Sequence, residues 1–425
     1  MKEIIKKFIP PFLLDLYHFI LAFFGALIYR FPSRELKVIG VTGTNGKTTV
    51  VEMISKIFEG GGYKVALANS IRFKIGEEEW PNTLRMTMPG RFKLQKFLRQ
   101  AVDSGCQYAV LEVTSEGIKQ HRHRFINFEI AVFTNLTPEH IEAHGSFEKY
   151  REAKGKLFKA TKEIHIINLD DENAEYFLKF PAKKKICFTL KERSGEPFSV
   201  VNAENVQVLQ SGLKFFVEGT EFNLKLLGEF NISNALAAIC VALSQETSLE
   251  ICKKALEKIE GIPGRMEEVI SHPFKVFVDY AFTPNALEKV YQLLSSKFKV
   301  QSSKLICVLG ACGGGRDKWK RLTLGGLAAK YCNEIVITNE DPYDEDPYQI
   351  LSMIKSGILK SQFPTSNFYE ILDRREAIRK SMELANPNDV VVITGKGCEP
   401  WICIANGKKI SWDDRRVVRE EFKNR

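Results

Sequence analysis

Lys47 and Thr48 lie in the stretch VTGTNGKTTV at positions 41 to 50, and they follow two glycines in the order of a phosphate-holding loop. Backbone N–H groups freed by Gly43 and Gly46, the positive end of the following helix and the Lys47 ammonium would converge on one anion, with the Thr48 hydroxyl open to a magnesium ion. Gly43, Thr44, Asn45, Gly46, Lys47, Thr48 and Thr49 are thus the candidate phosphate contacts. The spacing G-x-x-G-K-T is shorter than the common G-x-x-x-x-G-K-[ST], whose first glycine would fall at Val41. A chance glycine turn before a helix is the plain alternative; lysine and threonine in the required order speak against it.

Three further clusters follow apolar runs. In LEVTSEGIKQHR (111 to 122), Glu112 ends such a run and offers a hard oxygen to a magnesium ion held by Thr48. In TNLTPEHIEAHG (134 to 145), Asn135, His140, Glu142 and His144 lie close together, and Lys154 comes in the helical segment that follows. Singly, each has a dull reading, a structural histidine or a solvated lysine. Their placement after consecutive strands groups them into one candidate site.

The elements that must carry these residues alternate. LKVIGV, a helix after Lys47, KVALA, a helix at 91 to 105, YAVLEV, EIAVFTNL, a helix at about 147 to 160 and IHIINL predict parallel strands with covering helices. Between 181 and 228, KICFTL, QVLQSG and LKFFVEG predict a smaller β subregion, after which a helix resumes over 232 to 245. GIPGRME (261 to 267) marks a boundary. Beyond it, FKVFVDYA, KLICVLGACGGG, EIVITNE and DVVVITGKG end in polar or glycine loops, the pattern of a second, Rossmann-like doubly wound α/β domain with ligands at the carboxyl ends of its strands. The expected organisation is an apolar N-terminal segment over 1 to 35, a central P-loop-type α/β domain over 36 to 262 and a C-terminal α/β domain over 263 to 425.

With 425 residues, 44% hydrophobic and 27% charged, the chain is sized for two or three globular domains. A net charge of +9 without a basic run interleaved with aromatics argues for an anionic small substrate rather than nucleic acid. Nine cysteines with no C-x-x-C pair read as reduced thiols of a cytoplasmic protein, not a disulfide frame or zinc site. The most apolar segment, FIPPFLLDLYHFILAFFGALIYRF at 8 to 31, is flanked by Lys6, Lys7 and Arg30 and contains Asp15 and His18. It reads either as a helix packed on its own protein or a partner copy, or as an interfacial helix at the inner face of the membrane.

VTGTNGKTT, LEVTSEGIKQHR, FTNLTPEHIEAHG-x5-REAK, GEFNISNALAA, IPGRME, VDYAFTPNAL, GACGGGRDKWKR, DEDP, DRREAI and GKGCE resemble, in order, the motifs of the Mur ligases, of the UDP-N-acetylmuramoyl-tripeptide synthetase type. The resemblance runs from about 37 to 425. It implies ATP-dependent amide formation in peptidoglycan precursor synthesis: a carboxylate of a UDP-MurNAc-peptide-like acceptor is phosphorylated and an amino acid's amine displaces the phosphate. It further implies that Lys47 holds the β- and γ-phosphates, that Thr48 and Glu112 bind one Mg2+, and that His140 and a carbamylated Lys154 orient a second. Nucleotide contacts would also come from Asn231, Asn234, Arg265, Asp279, Tyr280, Asp373 and Arg374. Substrate contacts would come from Thr87, Ser115, Arg122, Lys318, Arg321, Asp341, Tyr343, Gly395, Lys396 and Glu399.

The sequence departs from the family pattern in several places. Glu116, Phe282 and Cys398 stand where histidines are usual, and Glu340-Asp341-Pro342-Tyr343 replaces the D-N-P-R of diaminopimelate enzymes. Tyrosine cannot pair bidentately with a carboxylate as arginine does, which favours lysine over diaminopimelate as the added amine; a tyrosine that only fills space in the loop is an equal alternative. The family's UDP-binding domain does not fit into the residues before the glycine loop, so an apolar helix is expected in its place. The competing readings are a ligase of this type acting on another acceptor, as in folylpolyglutamate or cyanophycin synthesis, and a non-catalytic ATP-binding membrane scaffold.

Overall fold

The computed structural model describes residues 10–84, 86–191, 193, 197–298, 303–363 and 367–425; Lys6, Lys7 and the rest of 1–9 lie outside them. The chain forms two compact units. The first comprises Met1–Thr137, Phe147–Lys225 and Glu229–Ile259, and the second Pro138–Ser146, Leu226–Gly228 and Glu260–Arg425.

The first unit is built on a nine-stranded sheet. Its strands are β1 (Lys37–Thr42), β2 (Val65–Ala68), β3 (Arg72–Ile75), β4 (Glu78–Pro81), β5 (Tyr108–Glu112), β6 (Phe128–Phe133), β7 (Ile164–Asn168), β8 (Lys184–Thr189) and β9 (Ser199–Asn202). They run in the order β4-β3-β2-β5-β1-β6-β7-β8-β9. From β2 to β9 every pairing is parallel, and β3 and β4 add an antiparallel edge. The central strands are buried almost throughout, as continuous apolar runs between two helical layers must be. KICFTL is β8 of this sheet rather than part of a separate subregion, because its apolar residues are needed to pair with β7 and cover the core. The separate small sheet is antiparallel and confined to β10 (Glu204–Leu209), β11 (Gly212–Val217) and β12 (Thr220–Leu224).

The apolar N-terminal segment forms a helix over Pro11–Ile28, with proline at its first position. Its buried stripe is Ala22, Gly25 and Ala26, small enough that a Cβ on Gly25 would stand 3.6 Å from the Arg91 backbone of the helix Arg91–Asp103. Arg99 fastens its end by donating to the Tyr29 carbonyl at 3.1 Å, and Asp15 meets the His121 imidazole at 2.7 Å. No helix among the described residues is long and apolar enough to cross a membrane.

The second unit has a six-stranded sheet in the order β13-β14-β18-β15-β16-β17. These are β13 (Glu267–Ile270), β14 (Lys275–Val278), β15 (Leu305–Leu309), β16 (Glu334–Ile337), β17 (Asn367–Glu370) and β18 (Val390–Ile393), parallel except at the β13 edge. Val276, Val308, Val336 and Val391 form its core with Ala377, Ile378, Val417 and Val418 from the covering helices. On this sheet, helices Lys320–Tyr331 and Pro347–Leu359 meet backbone to backbone, since a Cβ on Gly357 would press on the Leu322 carbonyl and one on Gly325 on the Ile354 carbonyl. Gly357→Ala gains helix propensity, yet the overpacking should lower stability by about 1–3 kcal/mol. A urea midpoint equal to or above that of the parent would refute this packing.

Candidate active site

In a parallel sheet the ligand-binding loops gather at the carboxyl ends of the strands, and in the first unit those of β1, β5 and β6 carry the candidates. The register sets Val41 opposite Glu112. Thr48, at the start of helix Lys47–Gly60, donates its hydroxyl to Glu112 Oε2 at 2.8 Å and lies 2.8 Å from the Ser70 hydroxyl. The Ser70 N–H donates to the same oxygen at 3.1 Å, and Lys47 Nζ lies 3.8 Å from Glu112 Oε1 while donating to the Thr44 carbonyl at 2.8 Å. Gly46 has φ of +83°, and a Cβ there would strike the Asn234 side chain, which is bound to Asn231 at 2.9 Å. Asn135 braces the loop from β6: its side-chain oxygen accepts from the Asn45 N–H at 2.9 Å and its carbonyl from the Thr44 N–H at 2.8 Å. Thr49 is buried in the first helical turn.

Lys154 reaches this loop from helix Phe147–Ala160. It is 2% exposed, donates to the Gly43 carbonyl at 2.7 Å and lies 4.7 Å from the centre of the Tyr150 ring. Burial, and then the Lys47 charge, hold its pKa well below the ordinary lysine value, against the opposing pull of Glu112. The structure therefore brings Lys47, Thr48, Glu112 and Lys154 together, and adds Ser70 and Tyr150, which short-range sequence patterns do not reveal. Among the described residues no three His, Cys, Asp or Glu side chains form a metal-holding group. The Thr48 and Glu112 oxygens suit Mg2+ nonetheless, since that ion takes one or two protein oxygens and completes its shell with phosphate and water.

Beyond β5, Ser115 is buried at the start of helix Ser115–Lys119, which Thr114 caps by accepting from the Gly117 N–H at 3.1 Å. Arg122 is buried and donates to the Met88 carbonyl and, at 2.8 Å, to Gln120; Thr87 is half-buried nearby in sequence. Nε of Arg122 and Nε and Nη2 of Arg91 are buried without a hydrogen-bond partner. Burial lowers the pKa of both guanidiniums, and the Arg122 charge adds to the effect on Arg91. Paired cations with open donors are suited to an oxyanion. Arg91 escaped the sequence reading because it opens an ordinary amphipathic helix.

In the second unit, the segment Pro138–Ser146 is clamped. Asp317 accepts from the Ile141 and Glu142 N–H groups at 3.2 and 2.9 Å, and Glu142 accepts from the Lys318 N–H at 2.7 Å. Lys320 Nζ binds Glu139 at 2.7 Å, both side chains being 2% exposed. His140 sits between these anchors with φ of +56°, and His144 ends the short turn. Burial raises the Glu139 pKa against the pull of Lys320. Arg321 is fully buried and bidentate to Glu345 at 2.6 and 2.9 Å.

The remaining candidates fall into two groups. Asp279 accepts from the Met266 and Ala281 N–H groups at 2.6 Å each, and the Arg265 guanidinium lies 4.3 Å from the centre of the Tyr280 ring. Tyr280 donates to Glu399 at 2.7 Å, Glu399 pairs with Lys396, and Lys396 donates to Asp341 at 2.9 Å. Burial opposes the Lys396 charge, but Glu399 and Asp341 outweigh it and raise the pKa. Gly395 has φ of +103° against the Glu340 carboxyl. Asp373 caps helix Arg374–Glu383, and Arg374 is committed to Asp414 at 2.7 and 2.8 Å and to the Thr394 and Asn339 carbonyls.

A Mur ligase middle domain model matches residues 41–242, and a Mur ligase, glutamate ligase domain model matches 264–397. The chain is 37% identical over 417 residues to the UDP-N-acetylmuramoyl-L-alanyl-D-glutamate--2,6-diaminopimelate ligase of Syntrophomonas wolfei subsp. wolfei, covering 94% of this chain and 81% of that protein. The chain belongs to the Mur ligase family. Members of this family are ATP-dependent ligases. The UDP-N-acetylmuramyl-tripeptide synthetase of a Roseiflexus species is 35% identical, with the same coverage of 94% and 81%. A solved structure of a ligase named as the Syntrophomonas one is 32% identical, with a TM-score of 0.59 over 92% of this chain and 78% of that one. Folylpolyglutamate synthase of Mycobacterium tuberculosis, at 18% identity and a TM-score of 0.71 over 89% and 92% of the two chains, shares the fold.

The departures from the Mur ligase pattern have local partners. The Phe282 ring centre lies 4.8 Å from Lys320 Nζ, a cation–π contact, and the exposed Glu116 accepts from Gln120 at 2.8 Å. Cys398 donates to the Pro263 carbonyl at 3.3 Å with its thiol pKa raised by burial, so it is no substitute for a basic histidine. Tyr343 lays its ring against Gly314 of the glycine-rich loop. Lys320→Met leaves the Glu139 carboxyl buried without its cation and should destabilise the protein by about 3–5 kcal/mol. Urea unfolding measures this, and a loss under about 1 kcal/mol would mean that the pair is solvated.

Proposed function

We propose that this chain joins the carboxylate of a UDP-MurNAc-peptide-like acceptor to the amine of an amino acid at the expense of ATP, in peptidoglycan precursor synthesis. The observation that carries the reading is the cluster of Lys47, Thr48, Glu112 and buried Lys154 around one glycine loop, in a chain of this family. A carboxylate resists attack by an amine. Transfer of the γ-phosphoryl group breaks its bond to the β-phosphate oxygen, releases ADP and leaves an acyl phosphate. The amine then attacks the acyl carbon, phosphate departs, and the amine's proton is lost as the amide forms.

Such a reaction asks the protein mainly to position and to neutralise charge. Lys47 and the N–H groups from Gly43 to Thr49 would hold the triphosphate, while Asn135 and Asn234 keep the loop in shape. Thr48 and Glu112 would hold Mg2+, which when bound neutralises phosphate charge. Arg122 and Arg91 would fix an oxyanion of the acceptor. The second unit, matched by the glutamate ligase domain model, would supply the amino-acid site. For the added amine, the relatives' printed names support diaminopimelate. Tyr343, whose ring lies against Gly314, adds no support for lysine. ATP as substrate and nine free cysteines favour a cytoplasmic setting.

Phosphate release from ATP in the presence of UDP-MurNAc-dipeptide should depend on an added amino acid, with diaminopimelate ahead of lysine and ornithine; release that ignores every amino acid would overturn the reading. Lys47→Ala should lower the rate more than about a hundredfold. Burial, and then the Lys47 charge, depress the Lys154 pKa and so favour its neutral form, the form that adds CO2 to give a carbamate with loss of a proton. Bicarbonate should therefore raise the rate of CO2-depleted enzyme, and Lys154→Ala should abolish the response. A response that survives in Lys154→Ala would rule out this lysine as its origin.

A further inference from the structure

The helix Pro11–Ile28 fully buries only a stripe of small residues, and most of the rest of its circumference is apolar and exposed, interrupted by Asp15 and His18. Phe12, Leu13, Leu16, Tyr17, Phe19, Ile20, Phe23, Phe24, Leu27 and Ile28 are all exposed, from 38% at Phe19 to 69% at Phe12. The one carboxylate on the helix, Asp15, is engaged by His121. An ordinary surface helix carries charged residues on its outer face. This one is built in reverse.

We infer that this helix lies in the interfacial layer of an anionic lipid membrane and holds the ligase at that surface. Its length sets the mode. Eighteen residues span about 27 Å, short of a bilayer's hydrocarbon core with its flanks, and the helix is tied along its length to the first unit through Arg99, His121 and Phe125. It is therefore placed to lie flat rather than to cross. Its aromatic residues suit the headgroup boundary. Charge selects lipid over a second copy of the chain. Exposed Arg30 and Arg34 follow the helix, and exposed Lys93 and Lys96 stand on the helix beneath it. The sequence adds Lys2, Lys6 and Lys7 before it, against Glu3. The nearby carboxylates of Glu35 and Asp103 share Arg99, at 2.7 and 3.6 Å, and are outnumbered by these cations. Two like-charged borders would repel in a self-association, whereas phosphate headgroups meet them with opposite charge.

The test uses the full chain and vesicles of phosphatidylcholine with or without phosphatidylglycerol. Cosedimentation at low salt should show binding at least about tenfold tighter to the anionic vesicles, weakening as salt rises. A variant carrying Phe12→Gln, Leu16→Gln, Ile20→Gln and Leu27→Gln should lose that binding while keeping its circular dichroism spectrum, since these side chains are exposed in the fold. As a readout independent of that variant's folding, Tyr17→Trp should shift its emission to shorter wavelength when anionic vesicles are added. Absence of vesicle binding overturns the proposal, and a lipid-free dimer in light scattering that disappears in the four-residue variant would assign the face to a second copy instead.

Discussion

A parallel ladder fixes the neighbour of every residue in it, and in the pair β1 and β5 it sets Glu112 opposite Val41, just before the glycine loop begins. Because side chains alternate across a strand, a slip of one residue would turn Glu112 to the opposite face of the sheet. The Thr48 hydroxyl and the Ser70 N–H both bind the carboxylate that this register presents. Lys47 completes the arrangement, and the helix that starts there is anchored by it. The arrangement of Lys47, Thr48, Ser70 and Glu112 thus rests on one strand pairing, which the buried apolar runs of β1 and β5 hold in place.

The second unit solves a different problem, the fixing of a turn that has little apolar surface of its own. Ile141 to His144 contain no buried residue, so packing cannot hold the segment. Asp317 takes its free N–H groups instead, and the buried pair of Glu139 with Lys320 fastens the residue before His140. Buried ion pairs add little net stability compared with apolar packing, but their geometry is demanding. That exchange of stability for definition fixes the backbone on both sides of His140.

Much of this was legible in the sequence. Strand and helix alternation, the glycine loop, Glu112 and the lysine of REAK follow from periodicity and from motif order, and the structure groups Lys47, Thr48, Glu112 and Lys154 as expected. Other features depend on partners far away in the chain. Ser70 lies after an unremarkable strand, and its role exists only because β2 neighbours β5. Glu139 and Lys320 are separated by 181 residues, and neither alone departs from a surface charge. KICFTL misled because an apolar run does not say which sheet it joins. Tyr343 was not legible, because its place in a motif does not say whether the ring selects a ligand or fills space, and its contact with Gly314 comes from a loop elsewhere in the chain.

The bond from Lys154 to the Gly43 carbonyl carries a consequence for the chemistry of that amine. A neutral amine has two N–H bonds, and only one is needed to hold this oxygen. Addition of CO2 at the nitrogen, as proposed above, would remove one hydrogen and leave the other for the Gly43 carbonyl, while the side chain acquired a negative end. The tether to Gly43 and the proposed carbamate are thus chemically compatible, and the modification would put an anion where an amine stands.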